Sequence, residues 1–465
     1  MMGMERQATL VLAIALAGLP ALSWLAASFS QPAVAGEPAQ TQEKILVAID
    51  AGGGALPDAT LYTLNPDGSG QTRLFDFHGH PKDARGGIWG LRVAPDGTTI
   101  YFSSDNANLY TPASRNLFRI GSDGSWWDQI TPGPNSGKWN QPCPCGTVTG
   151  TVRKSNGDPW GNSPVFLEGK GMVNSNPDGS FRFDDVPTGV RWIVAYRPGD
   201  SSVFDAQSIN VIAGVTTQVQ LVPDSTQRMN FEFPAAFGSR IYYRFSSTAI
   251  QWTTLDFAAP VEVYQTSGFC TGIPTVDGFD VAPTSGRLAI LNYQEGCGVG
   301  DTEHQGLYLA DKDGGNLQLL VDMMADYNWS DTGVPQGVYW SPDERRIAFN
   351  AMYAGNPVIV VFDATSGAYL GGVSYPATWD TTYGLYLYGW SPDGGWLLYL
   401  VEVYQIAQPA QKALVKIRVN PDGSLDLGAI QELLSDPNIS GATWGRLSAA
   451  PQQRRVHLPL VVRRR

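Results

Sequence analysis

The sequence predicts an all-β protein built from repeated four-stranded units, and three observations predict it. A turn phrase recurs between apolar segments: Val93-Ala94-Pro95-Asp96-Gly97, Val281-Ala282-Pro283, Trp340-Ser341-Pro342-Asp343 and Trp390-Ser391-Pro392-Asp393-Gly394. The composition suits strands and tight turns, with 52 Gly, 32 Pro and 11% aromatic residues in a chain of 465. Long helices need Ala, Leu, Glu, Lys and Arg and few breakers, yet only 16% of the residues are charged, against about 25% in an average soluble protein. A chain that is 43% apolar can bury a large core, which excludes disorder. Glycine is not at every third position, which excludes collagen. The formal net charge of −12 argues against a phosphate-backbone ligand, so no nucleic-acid partner is expected.

At the start, an uncharged stretch runs from Ala8 to Phe29, and Ala33-Val34-Ala35 follows. Small residues at −3 and −1 suit a signal peptidase, so residues 1–35 read as a leader cleaved before Gly36. An uncleaved anchor is the alternative, because 22 residues suffice to span a bilayer. Either reading sends the rest of the chain out of the cytoplasm, to the periplasm, the cell envelope or the medium.

The repeats come next. In each turn phrase Pro presets φ for the first central position, and where Gly follows Asp it accepts φ > 0 to reverse the chain. Successive phrases at Pro283, Pro342 and Pro392 are 59 and 50 residues apart. The wider gap back to Pro95 closes if a foreign segment, residues 142–224, is removed and a unit is read from Met229 to Gln265. Each unit reads as four short strands, A to D; the fourth unit holds GFDVAP, RLAILNY, GLYLADKDG and LQLLVDM. A period of 40–60 residues with four strands per unit predicts a β-propeller. Copies beginning near Ile45, Ile88, Met229, Phe279, Val338 and Leu387 give six blades, in residues 43–141 and 228–447. The first copy lacks strand A, and ATWGRL at Ala442–Leu447 is expected to join it and close the ring, which removes exposed edges. Residues 448–465 form a basic tail containing RRVHLPLVV, with a partial seventh blade as the other reading.

Phrases such as WSPDG, and LYTLNPDGSGQTRL, resemble the TolB-type propeller repeats. That resemblance covers about 300 residues and implies the fold; such propellers serve as interaction proteins, as lids of hydrolases and as modules of lyases. The segment of residues 142–224 is similar to the carboxypeptidase regulatory-like, transthyretin-type sandwich, through Gly146–Val152, Pro164–Leu167, Asp178-Gly179-Ser180-Phe181 and Val186-Pro187-Thr188-Gly189. That resemblance implies adhesion or positioning rather than catalysis.

Loop lengths differ between the two ends of the units. The A–B turns and most of the C–D turns are short. The B–C loops Asp105–Asn116, Gln294–Gln305 and Tyr404–Lys412, and the D–A loops His78–Gly87, Trp329–Gly337 and Trp379–Gly384, are long and share the other end. Long loops on a rigid scaffold carry binding. The candidate binding residues are therefore His78, His80, Arg85, Glu295, Asp301, Glu303, His304, Trp329, Trp379 and Tyr383. The aromatic ones offer stacking surfaces for a sugar or a protein partner, with ordinary loop packing as the alternative. Trp340 and Trp390, at equivalent repeat positions, are expected between blades.

Export permits disulfides. Cys270 and Cys297 reach the same rim and are expected to pair. Cys143 and Cys145 flank a proline at the neck of the insert, and their pairing stays open. No Gly-x-Ser-x-Gly elbow is present, nor a phosphate-binding glycine loop followed by Lys-Ser/Thr. His78 and His80 fall on the first unit and His304 on the fourth, too far apart to share one ion, so no metal and no cofactor is expected. Asp311-Lys312-Asp313-Gly314 resembles half a calcium loop but lacks the Glu at the twelfth position and reads as a turn. The sequence thus predicts an exported, non-enzymatic binding protein whose partner is a protein or a cell-envelope glycan or other polymer. Membrane contact is expected only through the leader or the basic tail. A metal-assisted lyase or hydrolase acting on polysaccharide or peptide is the rival.

Overall fold

The computed structural model describes residues 41–50, 59–76, 87–104, 113–131, 145–168, 170–224, 229–245, 249–254, 260–266, 274–294, 306–323, 329–330, 337–353, 356–375, 377–378 and 380–448. The protein is all-β: every regular element among these residues is a strand. No helix among them is long and apolar enough to cross a membrane.

Four-stranded antiparallel sheets recur along the chain. The first joins the two ends of the described chain: β1 (Thr41–Asp50), β2 (Ala59–Leu64) and β3 (Thr72–Asp76) pair in order, and β32 (Ile439–Ser448) pairs with the free side of β1. Its register sets Ile45 opposite Trp444 and Val47 opposite Ala442. The second holds β4 (Trp89–Val93), β5 (Thr99–Ser104), β6 (Ala113–Gly121) and β7 (Trp127–Gln129). The third holds β15 (Met229–Phe237), β16 (Arg240–Phe245), β17 (Ala249–Thr253) and β18 (Val261–Gln265). A short parallel pairing of β15 with β6 merges the second and third into one eight-stranded sheet.

The fourth sheet is β19 (Pro274–Val281), β20 (Leu288–Gln294), β21 (Gly306–Ala310) and β22 (Gln318–Asp322). In the fifth, β23 (Trp329–Ser330) and β24 (Val338–Trp340) both pair with β25 (Arg346–Tyr353), followed by β26 (Asn356–Asp363) and β27 (Tyr369–Ser374). The sixth is β28 (Thr381–Trp390), β29 (Trp396–Gln405), β30 (Gln411–Val419) and β31 (Leu425–Ser435).

The strands are apolar on both faces because each sheet is covered on both sides. In β1, Ile45, Leu46, Val47 and Ala48 are all fully buried. Since successive side chains point to opposite faces, Ile45 and Val47 pack with Leu398, Leu400 and Leu414 of the sixth sheet, while Leu46 and Ala48 pack with Ile100, Phe102 and Phe118 of the second. Further clusters join the second sheet to the third, the third to the fourth, the fourth to the fifth and the fifth to the sixth. The first strands follow the same order: β4 neighbours β15, then come β19, β24, β28 and β32, and β32 neighbours β4. Trp340 and Trp390 are buried in these clusters, each under an arginine of the preceding sheet, Arg287 and Arg346.

Between the second and third sheets in the chain lie β8 (Cys145–Val152), β9 (Pro164–Leu167), β10 (Gly171–Asn174), β11 (Ser180–Pro187), β12 (Gly189–Arg197), β13 (Asp200–Val211) and β14 (Thr216–Leu221). They make two sheets, β10-β9-β12-β13 and β11-β8-β14. One core serves both, with Val165, Leu167 and Ile193 from one and Val148, Phe181 and Leu221 from the other.

Four boundaries differ from the sequence reading. The Asp105–Asn116 loop is shorter, because β6 starts at Ala113 and Asn116 pairs with Ser104. The Tyr404–Lys412 loop is a short hairpin connection, because β29 runs on to Gln405 and β30 starts at Gln411. Thr381 to Gly384 belong to β28 and pair with Glu402 to Gln405. Trp329 and Ser330 form β23 and pair with Met352 and Tyr353. In each case backbone groups at the strand end find a partner, and an available ladder bond extends a strand past the residues that pattern alone marks as loop.

Candidate functional site

A cavity of about 440 Å³ opens where several strands begin or end. Asp50 is the last residue of β1, Trp89 the first of β4, and Ile439 the first of β32. Arg115 lies near the start of β6, Glu402 near the end of β29 and Lys412 near the start of β30. These are the B–C and D–A ends of the strands, the end for which the sequence predicts the long loops. The volume is in the usual range for small-ligand pockets.

The walls are aromatic. Trp89, Phe233, Tyr339, Tyr386 and Tyr388 line the cavity. Three of them share a local sequence device, a glycine two positions earlier against which the ring packs: Gly87-Ile88-Trp89, Gly337-Val338-Tyr339 and Gly384-Leu385-Tyr386. Residues i and i+2 face the same side of a strand, so a side chain at the glycine would occupy the space of the ring. Burial pushes the Tyr388 phenol well above its ordinary range. It also raises Tyr386, with the Glu402 carboxylate adding to the effect. Both phenols are therefore neutral donors at physiological pH.

The charged lining residues are engaged. Lys412 Nζ donates to the Ile439 carbonyl at 3.1 Å and lies 3.7 Å from Glu402. The Ser440 hydroxyl donates to Asp50 at 3.3 Å. Arg115 lies 4.5 Å above the centre of the Trp89 ring and pairs with Glu232. Glu232, itself buried, also holds Arg244, whose Nη1 donates to the Val276 carbonyl at 2.7 Å. Next to Glu232, Phe233 has φ of 53°, in the left-handed region where a bulky residue is an outlier. A register shift in β15 between Glu232 and Ala235 accompanies it.

A second cavity of about 370 Å³ lies at the turn end of the same strands and shares Tyr339 and Tyr388 with the first. Arg92, Asp280 and Tyr339 stand there. Arg92 lies 4.2 Å above the Tyr339 ring centre and 3.8 Å from Asp280, which accepts the Trp340 backbone N–H at 2.9 Å. Burial raises the Asp280 carboxyl, opposed by the Arg92 charge.

Of the residues singled out from sequence, only Tyr383 has a described side chain. It sits in a strand rather than a loop, its ring 5.5 Å from that of Tyr375, and is not among the lining residues. Trp329 is described in its backbone alone. His78, His80, Arg85, Glu295, Asp301, Glu303, His304 and Trp379 lie outside the described residues, as do Cys270 and Cys297. Cys145 is engaged in a disulfide whose partner also lies outside them. Among the described residues, no three His, Cys, Asp or Glu side chains gather to hold a metal. Asp311–Gly314 forms a turn closed by the Gly314 N–H on the Asp311 carbonyl at 2.8 Å.

No protein family matches the chain, and no curated protein is similar to it. Solved structures similar to it include a nidogen/laminin complex, at 10% identity and a TM-score of 0.40, covering 86% of this chain and 98% of that one. A periplasmic gluconolactonase of Pseudomonas aeruginosa is similar at 13% identity and 0.37, covering 88% and 99%. A putative TolB of Agrobacterium tumefaciens is similar at 15% identity and 0.28, covering 48% and 92%.

Proposed function

We propose that this chain is an exported, non-enzymatic binding protein: a six-bladed propeller closed by β32, with β8 to β14 as an inserted sandwich. It holds its partner, a protein or a cell-envelope polymer, at the loop-rich end. The cyclic order of neighbouring first strands supports six blades, and the shared core of β8 to β14 supports the sandwich. The apolar run before Gly36 supports export.

One observation carries the binding role: the cavity at the B–C and D–A end is walled by aromatic rings and by charges that already hold partners. Aromatic surfaces with a few fixed polar groups are what a binding site needs.

The test is retention of partners from envelope extracts and on a glycan array by the full chain and by Ser440→Trp, which fills the cavity. Wild-type retention that Ser440→Trp loses supports the proposal. Turnover of a polysaccharide or peptide, with no partner or glycan retained, overturns it.

A further inference from the structure

We infer that the cavity takes a ligand bearing a carboxylate, and that Arg115 receives it. The inference rests on the binding role proposed above and adds the chemistry of what is bound.

Arg115 is held for a purpose that its own contacts do not complete. Its guanidinium lies over the Trp89 ring, 4.5 Å from the ring centre, and its Nη1 is fixed by Glu232. Among the described residues no other partner takes its remaining N–H groups, and its side chain is 34% exposed, at the cavity wall. The support behind it is rigid. Glu232 is 4% exposed and Arg244 5% exposed, so one buried carboxylate serves two guanidinium groups. The Arg244 Nε is buried without a hydrogen-bond partner. The backbone next to Glu232 holds Phe233 in a strained conformation. Strain of this kind persists where the surroundings over-determine it, and it clusters at ligand sites. A guanidinium fixed in this way is a preorganised receptor for a planar anion.

The rest of the lining directs an anion to the same residue. Lys412 is taken by Ile439 and Glu402. The carboxylates of Asp50 and Glu402 repel an anion from their part of the cavity. A guanidinium pairs with carboxylate and phosphate alike, but a monoanionic carboxylate brings less charge into the aromatic cavity than a phosphate dianion does. The rings of Trp89, Phe233, Tyr386 and Tyr388 then accept the apolar or ring-shaped body of the ligand.

The test uses calorimetry on the full chain with acids paired against their amides: benzoate with benzamide, cyclohexanecarboxylate with cyclohexanecarboxamide, and inorganic phosphate as a separate arm. A charge-assisted hydrogen bond discriminates by about tenfold or more, so each acid is expected to bind that much tighter than its amide. Arg115→Gln is expected to erase the difference while keeping the amide affinity. Glu232 retains Arg244 in that variant, and an unchanged melting temperature verifies the fold. In the wild-type protein, benzoate is also expected to protect Arg115 from phenylglyoxal, read by peptide mass spectrometry. Equal binding of acid and amide overturns the inference and leaves the binding cavity standing. Phosphate binding tighter than either acid overturns the carboxylate assignment. Absence of binding by every probe overturns the inference and leaves the binding role to the partner-retention test.

Discussion

Four aspartates hold four turns in one way. Asp67, Asp123, Asp178 and Asp422 each accept the backbone N–H of the serine two residues on, at 2.9 to 3.0 Å, and its hydroxyl, at 2.6 to 2.7 Å. The serine hydroxyl, and then the serine N–H, holds each carboxyl below its ordinary range. A carboxyl depressed in the folded state contributes stability above the unfolded pKa, near 3.8, and loses it as pH falls further. Burial displaces Glu43 and Asp280 upward, so these two work in the opposite sense as pH rises through their folded pKa. The four turn aspartates predict a melting temperature that declines below about pH 4. Asn at all four positions is expected to shallow that decline, and an unchanged slope in a calorimetric pH series refutes the assignment. A second turn device uses a buried serine. Ser391 Oγ donates to Asp393 at 2.5 Å and accepts the Trp396 N–H at 2.9 Å, and Ser341 repeats the pattern. Ser391→Ala leaves that N–H without its partner and is expected to cost about 1–3 kcal/mol in urea unfolding. The turn phrases that hold both devices were marked in the sequence, because each is local, but the serine hydrogen bonds were not. The pairing of Arg115 with Glu232 was not marked either, since 117 positions separate them and only the packing of β15 beside β6 brings them together.

At the scale of elements, the tight C–D turns of the first, second, fourth and fifth sheets each pack on the sheet before. A side chain at Gly68 would strike the Leu433 carbonyl of the sixth sheet at 2.6 Å, and one at Gly367 the Leu320 carbonyl of the fourth at 2.5 Å. Gly124 stands in the same way on Leu74, and Gly314 on Val263. All four have positive φ, so an added methyl group brings backbone strain as well as a clash. Gly68→Ala and Gly367→Ala are each expected to destabilise by about 1–3 kcal/mol. Gly238, with φ of 59° and open space around it, bears the strain alone, and Gly238→Ala is expected to cost less than either. Equal losses at all three positions by denaturant unfolding count against a packing role. The sequence marked these turns as short C–D turns, through Asn-Pro-Asp-Gly at Gly68, Asp-Gly at Gly124 and Gly314, and Asp-Ala-Thr-Ser-Gly at Gly367. It did not mark their contact with the preceding sheet, nor the true ends of β28 and β29. Tyr383 was read as part of the Trp379–Gly384 loop, yet it pairs with Val403. Strand ends depend on whether a neighbouring strand offers hydrogen-bond partners, which no local pattern records.

For the whole molecule, the decisive pairing joins residues from the two ends of the described chain. The first repeat lacks a strand of its own, and β32 fills that position beside β1 in an antiparallel register from Thr41 with Ser448 to Ile49 with Ile439. Ile439, Ala442 and Trp444 of β32 complete the core with the sixth sheet, and Leu447 completes the one with the second. Burying each large apolar side chain is worth about 1.5–3 kcal/mol, so the strand's share is comparable with the ~5–15 kcal/mol that holds a typical domain together. A chain ending at Ser435 would also leave the edge of β1 unpaired, and an unpaired apolar edge recruits other chains. Truncation at Ser435 is therefore expected to abolish cooperative melting and to yield aggregates in light scattering. A synthetic peptide of residues 437–448 is expected to restore cooperative melting and suppress the aggregates when added in excess, because it supplies the missing strand to a template already formed by β1. A truncated protein that stays monomeric and melts at the full-length temperature would show that the remaining sheets hold without β32. The end-to-end pairing would then be an accessory to the fold and not its lock.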